Sequence, residues 1–291
     1  MVVTLFFLIA PLTVLIGALF VWKRLIARDD RRDPINIKVL HGAGQGVRSK
    51  LQERTEMFDS ALVMAVLVGP VGYATWATNW MIKYGFSWEE FSPGLFDYAM
   101  LAFLAIGVIA SFRHLTKHAK AARQLRQGLA AELAVAQCLN QVMAEGGYVF
   151  HDFPCDGFNI DHIVIGQSAV FAVETKSRLK PARSGKDAAR VSYDGSRLSF
   201  PDHTETKPLE QAKRQAEWLH KFLYSGVGDP VRVVPYLALP GWFVVNQVPR
   251  PDVLVGNPKN PMFMVRDGFG PALSEAMKRR IAHVLSERYP T

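Results

Sequence analysis

The sequence predicts an α/β domain, a mixed sheet flanked by helices, preceded by about three transmembrane helices. Three observations carry that expectation. Long uncharged apolar runs are confined to residues 1–112, the positive charge lies mostly after them, and beyond residue 125 a helical apolar repeat gives way to short β-branched runs. Residues 1–112 hold ten Lys/Arg against nine Asp/Glu, whereas 113–291 hold 24 against 17, a net +7 of the chain's +8. That segregation excludes a uniformly soluble protein and a largely disordered one. The two cysteines, Cys138 and Cys155, exclude a disulfide scaffold and offer no CxxC metal knuckle. They read as reduced thiols in a cytosolic compartment.

Val2–Trp22 is an unbroken apolar run closed by Lys23 and Arg24, long enough for the roughly 30 Å hydrocarbon core. A cleaved signal peptide would need positive charge before the run, and none is there. Residues 60–81 form a second uncharged span, with Gly69, Pro70 and Gly72 inside it, and 95–112 a third, the shortest, with Asp97 near one end. The 23–59 connection carries nine Lys/Arg, including Arg24, Arg28, Arg31, Arg32 and Arg48, whereas 82–94 carries only Lys83. The positive-inside tendency places 23–59 and everything after residue 112 in the cytoplasm, and 82–94 outside. Trp76, Trp80 and Trp88 then cluster at the outer boundary. The expected location is multi-pass in the cell (inner) membrane, with a basic juxtamembrane linker at 113–127 and a cytoplasmic domain over 128–291. No span pairs charges at mid-bilayer, so the membrane part reads as an anchor in the lipid bilayer and not a transport path. The glycine-rich HGAGQGV at 41–47 lacks the GK[ST] of a phosphate loop and spaces its glycines GxGxG, so it reads as a flexible cytoplasmic turn.

The cytoplasmic domain opens with Leu125, Leu129, Leu133, Ala136, Leu139 and Val142 at helical spacing, ended by Gly146-Gly147. NIDHIVIG (159–166) and VFAVETKS (170–177) follow as strands around a short turn at Gln167-Ser168. In a two-residue hairpin, Asp161 faces Glu174, and alternation puts Glu174 and Lys176 on one face. Two facing carboxylates repel unless a cation lies between them, and hard oxygen ligands favour Mg²⁺ or Mn²⁺. A neighbouring ammonium suits attack on a phosphodiester. The same residues also suit a plain surface strand in which Glu174 and Lys176 make an ordinary ion pair. His162 points to the opposite face and reads as core or edge, Cys138 as a packing residue, and Asp152 and Asp156 as parts of a loop. Apolar strands after residue 230 and a last helix over 272–288 complete the sheet.

ID-H-IVIG followed by VFAVETKS, with GLAAE upstream and KPLEQAKRQAEWL downstream, resembles the nuclease-related domain (NERD) family of the PD-(D/E)XK, restriction-endonuclease-like superfamily. The resemblance runs from about Gly128 to Phe222 with its motifs in order, departing from the pattern where Ala131 stands for a glycine. It implies a Mg²⁺- or Mn²⁺-dependent nuclease, with catalytic roles for Glu132, Asp161, Glu174, Lys176 and Gln211. Asp161, Glu174 and the backbone carbonyl of Thr175 would hold the metal, Lys176 would sit beside the attacking water, and Glu132 would reach the centre from its helix. The Gln211 amide would bond the lysine or a phosphate. Arg178, Lys180, Arg183 and Lys186 match a basic loop that would contact nucleic acid, DNA ahead of RNA. The expected function is a membrane-tethered, divalent-metal-dependent nuclease; the alternative is a catalytically silent, membrane-anchored nucleic-acid-binding or scaffolding module.

Overall fold

The computed structural model describes residues 41–289 apart from 86, 88 and 182–185. The predicted span 2–22, the arginines Arg24 to Arg32, Trp88 and Arg183 therefore lie outside the described residues. Among the described residues, two long helices come first, α1 (Gln45–Tyr84) and α2 (Leu95–Ala144). Each contains one of the expected spans and continues well beyond it. The stretch 113–127, expected as a linker, is unbroken helix within α2, because its Ala, Leu, Gln, Lys and Arg are good helix formers and it has no proline.

The described residues fall into two compact units, one over Glu53–Ala122 and one joining residues up to Gln52 to the chain from Arg123 onward. In the first unit the helices approach closely: a Cβ on Gly72 would lie 2.1 Å from Leu104 Cδ2, so a larger residue would have to push the Leu104 side chain aside. Trp76 Nε1 donates to Asp97 Oδ1 at 2.9 Å, which pairs the one acidic group of the third expected span.

In the second unit, β1 (Tyr148–Pro154), β2 (Asn159–Ile165) and β3 (Val170–Thr175) form an antiparallel meander. β4 (Arg190–Tyr193), β5 (Leu198–Ser199) and β6 (Thr204–Glu205) follow, then α3 (Lys207–Val227), β7 (Val233–Ala238), β8 (Phe243–Asn246), β9 (Leu254–Gly256) and α4 (Glu275–Glu287). Not one sheet but two result. β7 and β9 run parallel to β3 and complete the order β1-β2-β3-β7-β9, while β8 joins a small sheet in the order β6-β5-β4-β8. The segment MFMV (262–265), read as strand, is a short 3₁₀ helix over Pro261–Val265, with Pro261 pre-setting its first turn.

The large sheet is covered on both faces. Val135, Leu139 and Val142 of α2 pack with Val164, Phe171 and Val173 on one face. Ala216, Leu219 and Leu223 of α3 pack with Ile281 and Leu285 of α4 on Ile163, Ile165 and Ala172 of the other. β3 is buried along its whole length, as a central strand covered on both sides should be. Leu133, counted in the apolar stripe of α2, is exposed; Glu132 is buried beside Ala131 and Val135 in its place.

Candidate active site

The β2–β3 register places His162 against Val173 and Ile165 against Val170, so Asp161, one residue on, faces Glu174 as the two-residue turn requires. Gly166 N donates to Ala169 O at 2.9 Å and closes that turn. Asp161 reaches across the pair and accepts the Thr175 N–H through Oδ2 at 2.7 Å. Glu174 is 2% exposed. Its Oε1 lies 2.5 Å from Lys176 Nζ, and its Oε2 accepts from Gln215 Nε2 at 2.6 Å. The same Gln215 nitrogen donates to Asn159 O at 3.3 Å, so the amide spans from the start of β2 to the end of β3.

Gln215 is the residue that sequence reasoning missed. Gln211, the expected glutamine, lies one turn earlier on α3, and no hydrogen bond to the carboxylates is recorded for it among the described residues. Pro208 opens α3, as expected, and the helix buries Leu209, Ala212, Gln215, Ala216 and Leu219. A polar residue inside an apolar stripe was the available signal, since buried polar groups are rare without a partner.

Two carboxylates, Asp161 and Glu174, come together here. Among the described residues no three His, Cys, Asp or Glu side chains form a group that could hold a metal ion; the protein oxygens that could bind a cation here are those of Asp161 and Glu174, with water completing the shell. That donor set suits Mg²⁺, which keeps several waters and needs few protein oxygens. Gln215 Oε1 is buried with no hydrogen-bond partner, leaving an acceptor beside Glu174 that a metal-bound water can satisfy.

Residues 127–240 match the family model of the nuclease-related domain, NERD. Curated proteins and solved structures return no match. The nuclease-related domain, restriction-endonuclease-like in fold, thus contains Glu132, Asp161, Glu174, Lys176 and Gln215, contributed by α2, β2, β3, the residue after β3, and α3.

Burial is the main electrostatic force in this NERD site. It raises the Glu132 carboxyl to about 7, helped by the negative charge of Asp152 and then of Glu174, with Lys176 and Lys50 opposing. Burial likewise pushes Asp161 well above the usual carboxylate range, followed by Glu174 and Glu132, while the Thr175 N–H and Lys176 pull it back. His162 is fully buried and pairs Nδ1 to Nδ1 with His151 at 2.9 Å; burial, then His151, lower it to about 3. It is a neutral core residue on the far strand face. Raised carboxyls make the folded state hold more protons than the unfolded chain between the ordinary pKa of 4.5 and about 7. Stability therefore falls as pH rises through that window. Thermal midpoints of the full chain in detergent with EDTA should drop from pH 5 to pH 7.5, Glu132→Gln should flatten the drop, and Mg²⁺ should restore more stability at pH 7.5 than at pH 5. A flat profile in the parent protein would contradict the carboxylate coupling.

The basic loop is less free than the sequence implied. Arg178 is a cross-link and not an open phosphate contact: its Nε and Nη2 hold Glu205 at 2.8 and 2.7 Å, tying the end of β3 to β6. Lys180 is exposed, Arg183 is outside the described residues, and Lys186 opens a short 3₁₀ helix. Trp242 is buried and donates through Nε1 to Arg178 O at 3.3 Å. Asp156 holds Arg288 and the Trp218 indole, a structural role at the β1–β2 turn.

Proposed function

We propose that the protein is a membrane-tethered, divalent-metal-dependent nuclease that hydrolyses phosphodiester bonds at the cytoplasmic face. The observation that supports this most is the meeting of Asp161, Glu174, Lys176, Glu132 and Gln215 within the nuclease-related domain. A divalent cation held by Asp161, Glu174 and the Thr175 carbonyl would supply a Lewis acid and a water of lowered pKa. Gln215 fixes the Glu174 carboxylate by one oxygen, leaving the other to Lys176. The Lys176 ammonium is placed to orient the attacking water and to offset negative charge on the phosphorus centre. Glu132, raised by burial to about 7, can give or accept a proton near neutrality. The deciding assay is cleavage of labelled DNA and RNA by the purified full chain, with Mg²⁺, Mn²⁺ or EDTA. Cleavage only with metal supports a nuclease; salt-dependent binding without cleavage under any metal supports the silent binding module instead.

Among the described residues, two helices are long and apolar enough to cross a membrane. Leu101, Ile106 and Phe112 stand about two-thirds exposed along α2, a surface suited to lipid and costly in water. With the charge asymmetry of the connections, this supports a cytoplasmic nuclease-related domain. Green fluorescent protein fused at the C-terminus should fluoresce in the cytoplasm, and alkaline phosphatase fused within 89–94 should be active. The reverse pattern would overturn the topology.

A further inference from the structure

The HGAGQGV segment is not a loose turn. His41 Nδ1 lies 3.0 Å from Asp152 O, and its ring meets Tyr289 edge-on at 5.1 Å. Gly44 is buried with φ +68°; a Cβ there would lie 2.4 Å from Leu129 Cδ1 and 3.3 Å from Glu132 Oε2. Gly46 N donates to Asp152 Oδ2 at 2.8 Å, and its own Cβ would crowd Asp152 and Asn159 at 3.1 and 3.2 Å. The two glycines are therefore there because the backbone must pass within contact distance of the site.

The contacts continue inward. Asp152, a non-glycine residue at φ +46°, also accepts from Asn159 Nδ2 at 3.0 Å. Asn159 O in turn accepts from Gln215, which holds Glu174. A hydrogen-bonded line thus runs from Gly46 to the Glu174 carboxylate. It fixes the first turn of α1 against the rim of the site. Arg48 lies one turn after Gly44 and its N–H bonds Gly44 O at 2.8 Å, so it rises from the same side of the helix. Lys50 is close enough that its charge opposes the upward shift at Glu132. Both cations are exposed, and no ion pair is recorded for either among the described residues.

We infer that residues 41–50, outside the matched nuclease-related domain, are a phosphate-binding element of the site, in which Arg48 and Lys50 contact the backbone of a nucleic acid. This rests on the reading that the site takes nucleic acid. Negative substrate and two unpaired cations at the rim of the carboxylate cluster are complementary, and the docked glycines set where the cations stand.

The test is binding of a labelled DNA duplex to the full chain in detergent, with Ca²⁺ or EDTA so that no turnover is needed. Arg48→Ala/Lys50→Ala should weaken binding about tenfold at low salt and reduce the log–log salt slope by roughly 2, one phosphate per cation. Gly44→Val, which collides with Leu129, should weaken binding similarly by lifting the strap. Arg232→Ala/Arg279→Ala removes equal charge near the opposite end of β3, where Val170 N bonds Arg232 O and Lys278 bonds Gln167, and should leave the slope nearly unchanged. Arg48→Glu/Lys50→Glu with an unchanged thermal midpoint should bind still more weakly. Unchanged affinity and slope in Arg48→Ala/Lys50→Ala, with a parent that binds, would overturn this inference alone. A parent that binds no duplex or single strand would overturn it together with the nucleic-acid reading.

Discussion

Asp161→Asn or Glu174→Gln should each remove metal-dependent cleavage almost completely. Loss of an outer hydrogen-bonding partner of a metal ligand costs about 10–100-fold in metal affinity or activity, and loss of a ligand itself should exceed that. Glu174 carries a second burden, because its two oxygens also hold Lys176 and Gln215. Lys176→Ala should cut turnover as severely, yet leave divalent-metal binding intact or tighter, since it deletes a positive charge beside the cation. Calorimetric Mn²⁺ titration beside single-turnover cleavage separates these outcomes. His162→Ala should be the mildest of the four in rate, because the imidazole is neutral and packs on the other strand face against His151. Robust Mg²⁺-dependent cleavage by both the Glu174 and Lys176 variants would place the active centre elsewhere.

Gln215→Leu should lower turnover by about ten- to a hundredfold, whereas Gln211→Leu should stay within about twofold of the parent. The leucine removes a buried donor to the Glu174 carboxyl, a loss worth about 1–3 kcal/mol, and each 1.4 kcal/mol at the transition state is tenfold in rate. It also removes the Asn159 contact, so the inner end of the strap is loosened at the same time. Gln215→Asn, one methylene shorter, should recover little, because the 2.6 Å bond to Glu174 depends on reach. A structural effect alone would lower the thermal midpoint without changing the metal affinity; a positioning effect should weaken Mn²⁺ binding as well. Equal losses from the two glutamine substitutions would contradict the assignment of Gln215.

The features legible in the amino-acid order are those set by local rules. Alternation along 159–166 and 170–177, with the turn at Gln167-Ser168, gives a register that buries Ile163 and Ala172 together, and that register brings Asp161 opposite Glu174. Pro208 marks the first turn of α3 because its fixed φ suits a helix start and its missing N–H is not needed there. The nuclease-related domain could be recognised for the same reason: its motifs are short, ordered and each confined to one element.

Tertiary structure decided what depends on how distant elements meet. Gln211 and Gln215 are one helical turn apart on α3; the stripe of Leu209, Ala212, Ala216 and Leu219 takes in Gln215, and the packing of α3 over β3 brings it to Glu174. The HGAGQGV glycines match no phosphate-loop pattern, and their use appears only when Gly46 meets Asp152, 106 residues away in the chain. Arg178 looked like a free cation until β6 brought Glu205 to it. Each case turns on a hydrogen bond or steric contact between segments far apart in sequence. Such contacts are set by the packing of the whole domain, and no local propensity encodes them.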